Sequence, residues 1–279
     1  MQSACRELHR AGKRIGFVPT MGALHEGHVS LVRSARTQTD VVAVSIFVNP
    51  LQFGPSEDLS SYPRTFEADR QKLEAEGVQL LFSPANEEMY PPGSSTVVIV
   101  EGVSEKLDGH SRPGHFRGVA TVVCKLFEIV RPDRAYFGQK DAAQVAVLRK
   151  MVRDLDMDVE MVVCPTVRER DGLALSSRNA YLSLEQRKQA LVLYRTLMRI
   201  HTLADRGERS AKALLDAGRQ VIADEPGVRL DYLEIVNPDT LDPVEDISKG
   251  ALVAVAAFVG TTRLIDNVVL HGPGKAIEA

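Results

Sequence analysis

Pro19-Thr20-Met21-Gly22-Ala23-Leu24-His25-Glu26-Gly27-His28 joins a short apolar run, Arg14-Ile15-Gly16-Phe17-Val18, to a segment in which Val29, Leu31, Val32 and Ala35 recur at helical spacing. The motif therefore lies on a strand-to-helix turn. At such a turn the first backbone N–H groups of the helix lack intrahelical partners and the helix dipole adds partial positive charge, so anions collect there. Gly27 has no Cβ, which lets a flat base or a phosphate approach the backbone. His25 and His28 are three residues apart, hence on one face of the first turn and aimed at the same bound group. The plain alternative is that one histidine caps the helix and the other is a surface residue. A Met-Gly turn and His-x-Gly-His spacing directly after a β-like run favour a nucleotide site.

The 279 residues suffice for one large or two ordinary domains with a core that needs no staples. At 44% hydrophobic and 25% charged, with a formal charge of -3, the chain has a globular composition and no basic footprint for a long polyanion. Net charge does not constrain a pocket, so a small phosphorylated ligand stays compatible. Cys5, Cys124 and Cys164 are odd in number and far apart, which fits a reducing cytoplasm and excludes a disulfide frame or a zinc ribbon. No apolar run approaches the ~20 residues that cross a bilayer, and the first residues read as an amphipathic helix rather than a signal peptide.

Working outward, Asp40 to Val48 is a nearly continuous apolar run of the kind buried on both faces of a parallel sheet. Residues 65–77 read as a helix, 78–82 as a strand, 119–130 as a helix, 134–137 as a strand, 145–155 as a helix and 159–163 as a strand. This alternation predicts an α/β fold with an open parallel sheet, whose ligands bind at the carboxyl ends of the strands. The pattern changes near residue 180. Helices at 184–205 and 209–223 precede three runs, 229–236, 251–259 and 262–270, that predict a small antiparallel sheet. The expected division is a nucleotide-binding domain over 1–179 and an α+β lid domain over 180–279, with a frayed tail from His271.

Further polar groups fall at the same ends of the strands. Gly138-Gln139-Lys140-Asp141 follows one strand and opens a helix, with Lys140 able to reach a phosphate and Asp141 either a cap or a ribose contact. Gln144, one turn on, is a candidate for a polar substrate or an ordinary exposed glutamine. Leu175-Ser176-Ser177-Arg178-Asn179 offers hydroxyls and a guanidinium suited to a triphosphate, although Ser-Ser-Arg alone is common in loops. Asn49 and Gln52 follow the second strand with neutral amides. Arg112 and His115 lie in a glycine-rich basic loop before a helix, a solvated connector being the alternative.

Together these segments closely resemble the pantothenate synthetase (pantoate-β-alanine ligase) family, from about Lys13 to Leu270. The match rests on residues 19–28, Phe-Val-Asn-Pro-x-Gln-Phe at 47–53, Tyr-Pro-Arg-Thr at 62–65, His-Phe-x-Gly-Val at 115–119, Phe-Gly-Gln-Lys-Asp at 137–141 and Ser-Ser-Arg-Asn at 176–179. The resemblance implies a Rossmann-like core of the His-x-Gly-His nucleotidyltransferase type, a smaller C-terminal domain, a homodimer, ATP and Mg²⁺. It implies ATP contacts at Met21, Gly22, Ala23, Leu24, His25, Glu26, Gly27 and His28, at Gly138, Gln139, Lys140 and Asp141, and at Val167, Leu175, Ser176, Ser177 and Arg178. His28 would be the proton donor, with His25, Lys140 and Arg178 as its catalytic companions. Gln52 would contact pantoate and β-alanine, Gln144 would contact pantoate, and Asn49, Arg112 and His115 would lie near the acceptor. Asp69 matches an acidic position near the metal. Leu175 stands where many relatives carry Met, a swap of similar volume. The chain also opens on a helix where relatives usually carry a strand first.

The reaction implied is adenylation of pantoate by ATP with loss of pyrophosphate, followed by attack of β-alanine and release of AMP. Two other readings are a His-x-Gly-His adenylyltransferase acting on a phosphate ester, which needs a cationic acceptor pocket, and a non-catalytic nucleotide-binding regulator, which needs no catalytic cations.

Overall fold

Why the first motif ends up at a sheet edge follows from the strands that flank it. The computed structural model describes residues 1–55 and 57–272; residues 273–279, most of the expected tail, lie outside it. Chain contacts divide the protein into two compact units, Met1–Gln139 with Ala143–Val167, and Lys140–Ala142 with the chain from Arg168 onward.

In the first unit the order is α1 (Gln2–Arg10), β1 (Ile15–Thr20), α2 (Glu26–Gln38), β2 (Val41–Ile46), α3 (Phe66–Ala75), β3 (Leu80–Phe82), α4 (Asn86–Met89), α5 (Asp108–Ser111), α6 (His115–Val130), β4 (Arg134–Gly138), α7 (Ala142–Asp154) and β5 (Glu160–Cys164), Ala142 itself counting with the second unit. The strands form one parallel sheet in the order β3-β2-β1-β4-β5, as the alternation of strands and helices predicts. β2 is buried at every residue, which is what a strand covered on both faces requires. Leu31, Val32 and Ala35 of α2 pack with Val18, Val44 and Tyr136.

The strand order reverses between β1 and β4, and there the ladder is short. β1 pairs with β2 along its whole length, from Ile15↔Val41 to Thr20↔Ile46, but with β4 only at Gly16↔Arg134 and Phe17↔Ala135. Pro19 has no N–H with which to extend it. The carboxyl ends of β1 and β4 thus part at the switch point, the place where open α/β sheets bind ligands.

The second unit holds α8 (Leu184–Asp205), α9 (Ala211–Ala223), β6 (Val228–Val236), β7 (Ala251–Val259) and β8 (Thr262–Leu270). The strands make the expected antiparallel sheet, order β6-β7-β8. Val259 pairs with Thr262, leaving Gly260 and Thr261 as the turn. Leu193, Leu197 and Ile200 of α8 and Leu214 of α9 bury against Leu233, Ile235, Val253 and Val255.

The unit begins at Arg168, earlier than the break at residue 179 expected from the helical pattern. An ion pair ties this stretch to β8. The Arg168 guanidinium donates to both oxygens of Asp266 on β8, at 2.6 and 2.9 Å, and to the Gly172 carbonyl at 3.0 Å. The segment carrying Ser176 to Arg178 is therefore anchored to the antiparallel sheet. Among the described residues no helix is long and apolar enough to cross a membrane.

Asp266 is 3% exposed, so Asp266→Ala strands the guanidinium of Arg168 in a largely dry place. The expected loss is about 3 kcal/mol, read from urea unfolding, the range for a buried ion pair broken from one side.

Candidate active site

The turn between β1 and α2 is built from its own side chains. His25 is the N-cap of α2, where its Nδ1 accepts from the Gly27 N–H at 3.2 Å, and the Nδ1 of His28 accepts in return from the His25 N–H at 3.3 Å. Both histidines therefore cap the helix, so capping and a role in chemistry are not alternatives here. With both Nδ1 atoms accepting, each neutral ring carries its proton on Nε2 and presents that N–H as a donor. The ring centroids are 4.2 Å apart, which makes the two donors a pair.

Upstream, Gly22 and Ala23 sit at φ +85° and +50°, a conformation glycine adopts freely but one that Ala23 does not hold unaided. Thr20 Oγ1 donates to the Ser45 carbonyl at 2.7 Å and accepts from the Gly22 N–H at 3.3 Å. From α3, Asp69 accepts the N–H groups of Ala23 and Leu24, each at 2.8 Å, and the Thr65 hydroxyl at 3.1 Å. Asp69 is 1% exposed. With both oxygens engaged and no trio of His, Cys, Asp or Glu able to hold a metal among the described residues, a resident Mg²⁺ on Asp69 does not fit this geometry.

A second cluster follows β2. Asn49 is 1% exposed and its amide is fully used: Nδ2 donates to Gln52 Oε1 and to the Gly118 carbonyl, both at 3.1 Å, while Oδ1 accepts from the Leu51 N–H and from the Tyr90 hydroxyl at 2.8 Å. Asn49 thus orients Gln52. The Gln52 amide then donates toward the Met21 sulfur at 3.2 Å, which brings this cluster to the first motif. The glycine in His-Phe-x-Gly-Val has a clear cause, since a Cβ on Gly118 would lie 2.2 Å from the Leu51 carbonyl oxygen. Only glycine lets α6 back onto the 50–52 turn.

Arg112 and His115 close the same cluster from α6 and the loop before it. The Arg112 guanidinium makes a two-point pair with Glu57, at 2.6 and 2.7 Å, and donates to His115 Nε2 at 3.0 Å. His115 Nδ1 donates to the Gln52 carbonyl at 2.8 Å, so its ring is neutral and is the opposite tautomer from His25 and His28. Burial, then the charge of Arg112, pushes His115 down to about 4. Burial would raise Glu57, but the Arg112 hydrogen bond and charge outweigh it and hold the carboxyl below its ordinary range. Glu57 and Tyr90 carry no signal in the sequence beyond their neighbourhood to a motif, because their partners are far along the chain.

Elsewhere in the first unit Gly138 ends β4, Gln139 opens the 3₁₀ turn Gln139–Asp141, and Gln144 is half-buried in the first turn of α7, while Val167 is half-buried beyond β5. In the second unit the Lys140 carbonyl accepts from the Asn267 amide at 2.9 Å and its ammonium lies 3.6 Å from Asp141. Leu175 to Arg178 are half-buried, with Ser176 Oγ accepting from the Arg178 N–H at 3.3 Å as the cap of a 3₁₀ turn over Ser177–Tyr181.

A parallel 3-2-1-4-5 sheet with a histidine-capped helix at its switch point, joined to a small antiparallel sheet, defines a Rossmann-like α/β enzyme. The family model for pantoate-beta-alanine ligase matches residues 1–269. The chain is 67% identical to the pantothenate synthetase of Koribacter versatilis, covering 99% of this chain and 95% of that protein, and 59% identical to that of Thermotoga neapolitana, covering 97% and 96%. A crystal structure of pantothenate synthetase from Thermus thermophilus superposes with a TM-score of 0.90 at 53% identity, covering 95% and 96% of the two chains. The pantoate-beta-alanine ligase of Francisella tularensis, solved in complex with beta-gamma ATP and beta-alanine, superposes with a TM-score of 0.77 at 34% identity over 95% of each chain. The chain belongs to the pantoate-β-alanine ligase family.

The depressed His115 carries a pH dependence with a definite sign. The unfolded chain takes up this proton near pH 6.5 and the folded protein only near about 4, so the stability is fully present above pH 6.5 and drains as the pH falls toward 4. His115→Gln removes that component. In urea unfolding across this window, the variant loses up to one proton's worth of pH slope relative to the parent.

Proposed function

We propose that this ligase makes pantothenate from pantoate and β-alanine by way of a pantoyl adenylate, with ATP as co-substrate. The observation that carries the reading is the pair of imidazoles with Nε2–H donors fixed at the start of α2, next to the neutral amide of Gln52.

A carboxylate does not condense with an amine at neutral pH, so its oxygen must first become a leaving group. A pantoate carboxylate oxygen, held by Gln52 and Gln144, attacks the α-phosphorus of MgATP in line, and the bond to the bridging oxygen breaks to release pyrophosphate. His28 donates a hydrogen bond from its Nε2–H to the charge that develops there, with His25 beside it, and the work is mainly placement and electrostatics. On the strength of the motif match, Lys140, Ser176, Ser177 and Arg178 take the phosphates. Met21 to Glu26, Gly27, Gly138, Gln139, Asp141, Val167 and Leu175 take the rest of the nucleotide. The β-alanine amine then attacks the acyl carbon, AMP leaves and the nitrogen loses a proton. Asn49 acts through Gln52, and Arg112 with His115 shapes the acceptor side. Mg²⁺ arrives as part of the nucleotide substrate. A homodimer in the cytoplasm completes the reading.

The charge balance of the acceptor side speaks against transfer of AMP to a phosphate ester. Asn49 and Gln52 are neutral, His115 is neutral, and the one guanidinium among them is already matched by Glu57. Among the described residues of this cluster the remaining cation, Lys125, lies over the Tyr90 ring rather than beside the acceptor amides, so a dianionic phosphate finds less charge to match there than a monoanionic carboxylate.

The test is pyrophosphate release from MgATP with D-pantoate alone, then AMP formation once β-alanine is added. ATP binding without pantoate-dependent turnover overturns the reading. His28→Asn keeps an oxygen where Nδ1 accepts from the His25 N–H but has no Nε2–H, and His28→Ala loses both. Adenylation should fall on the order of 100-fold in both variants, whereas about 1 kcal/mol of cap stability is lost only in the alanine variant. Sedimentation equilibrium should give twice the chain mass.

A further inference from the structure

The carboxylate of Asp69 occupies a backbone seat that a phosphate would otherwise fit. Two successive N–H groups, those of Ala23 and Leu24, converge on it at 2.8 Å each, the arrangement by which turns bind anions. The seat is walled in: Asp69 is 1% exposed, Thr65 adds a third donor, and a Cβ on Gly22 would lie 3.2 Å from Asp69 Oδ2. Lys72, one turn further along α3, donates its ammonium to the Leu24 carbonyl at 2.6 Å. Both polar groups of the Leu24 backbone are thus held by α3, immediately before the N-cap His25. α3 is itself fixed to α2, where the Arg33 guanidinium meets Glu76 at 2.7 Å.

On the reading that ATP is the ligand of this turn, we propose that Asp69 and Lys72 are positioning residues that set the Met21–His25 backbone, and with it the Nε2–H donors of His25 and His28, for the nucleotide. Asp69 does this as a built-in anion, with three of the roughly four lone-pair sites of its carboxylate already taken by Ala23, Leu24 and Thr65. Because the seat at Ala23 and Leu24 is filled from within, the phosphates are left to the donors downstream of it, the imidazoles first among them. Ala23, at positive φ, gains from outside the hold that its own conformation lacks.

Asp69→Asn offers an N–H donor where two backbone donors converge. Lys72→Met keeps the stem of an exposed side chain and removes only the ammonium, so it tests the clamp even where the first variant folds poorly. Glu67→Gln, on the exposed side of the same helix, is the control. Binding of a non-hydrolysable ATP analogue with Mg²⁺ is measured by calorimetry, together with KM and kcat for ATP at several Mg²⁺ concentrations. The expected result is affinity weakened about tenfold or more in Asp69→Asn and several-fold in Lys72→Met, the scale on which small misplacements act. KM should rise more than kcat falls, Lys72→Arg should restore binding, the Mg²⁺ concentration for half-activation should not change, and Glu67→Gln should behave as the parent. Parental affinity in both variants overturns the proposal. So does an Asp69→Asn defect that excess Mg²⁺ repairs while Lys72→Met binds normally, which would return Asp69 to the metal. Failure of pantoate-dependent pyrophosphate release in the parent would instead sink the proposed function, and the calorimetric comparison would still decide the clamp.

Discussion

The first N–H groups of α2 have no carbonyls to meet inside the helix, and the chain satisfies them with the imidazoles that the proposed chemistry also needs. This double use decides much else. Because Nδ1 of each ring must accept from the backbone, the proton of each neutral ring is placed on Nε2, and the donor direction is set before any ligand arrives. Protonating either ring at Nδ1 would cost the cap, so helix and chemistry favour the same neutral form. A capping interaction of ordinary strength thereby selects a tautomer.

The sheet explains why so few residues suffice. β1 and β4 separate beyond Phe17, and the segments following β1, β2 and β4 all leave from the same edge. The stretches after β1 and β2 meet there, where Gln52 reaches Met21, without long loops to order. Around Gln52 the polar groups are matched locally: a carboxylate for Arg112, a neutral ring at 115, and an amide whose neighbour Asn49 has no capacity left. Apart from the Gln52 nitrogen, whose partner is a sulfur, the members are satisfied by strong partners, which makes the frame around it rigid.

The longer regular elements were legible in the sequence because burial imposes its period on residues close together in the chain, whereas the four-residue helices α4 and α5 are too short to carry one. Val29, Leu31, Val32 and Ala35 mark α2 with no knowledge of the sheet, and the apolar run after Asp40 marks β2. Candidate residues were legible where a motif concentrated them. What escaped depends on partners distant in sequence. Asp69 reads as an acidic residue in a first helical turn, and nothing local says that it meets the backbone of Ala23. Glu57 is one acid in a polar loop until Arg112 is folded beside it. Arg168, where the second unit resumes, pairs with Asp266 on β8, and the spacing of helices could not reveal that.

Within one motif, burial and hydrogen-bond accounting separate residues that hold from residues that can be released to a ligand. Asn49 and Asp69 are each 1% exposed, with every strong partner in place, and freeing either would leave buried polar groups unmatched. Gln52 differs. Its oxygen is fixed by Asn49, which sets the amide's orientation, but its nitrogen points at the thioether of Met21, a weak acceptor. Exchanging that sulfur for a carboxylate oxygen replaces a poor hydrogen bond with a charge-assisted one and disturbs nothing else in the cluster. The donor is therefore oriented by strong interactions and occupied by a weak one, which is the state in which a binding group costs least to redirect.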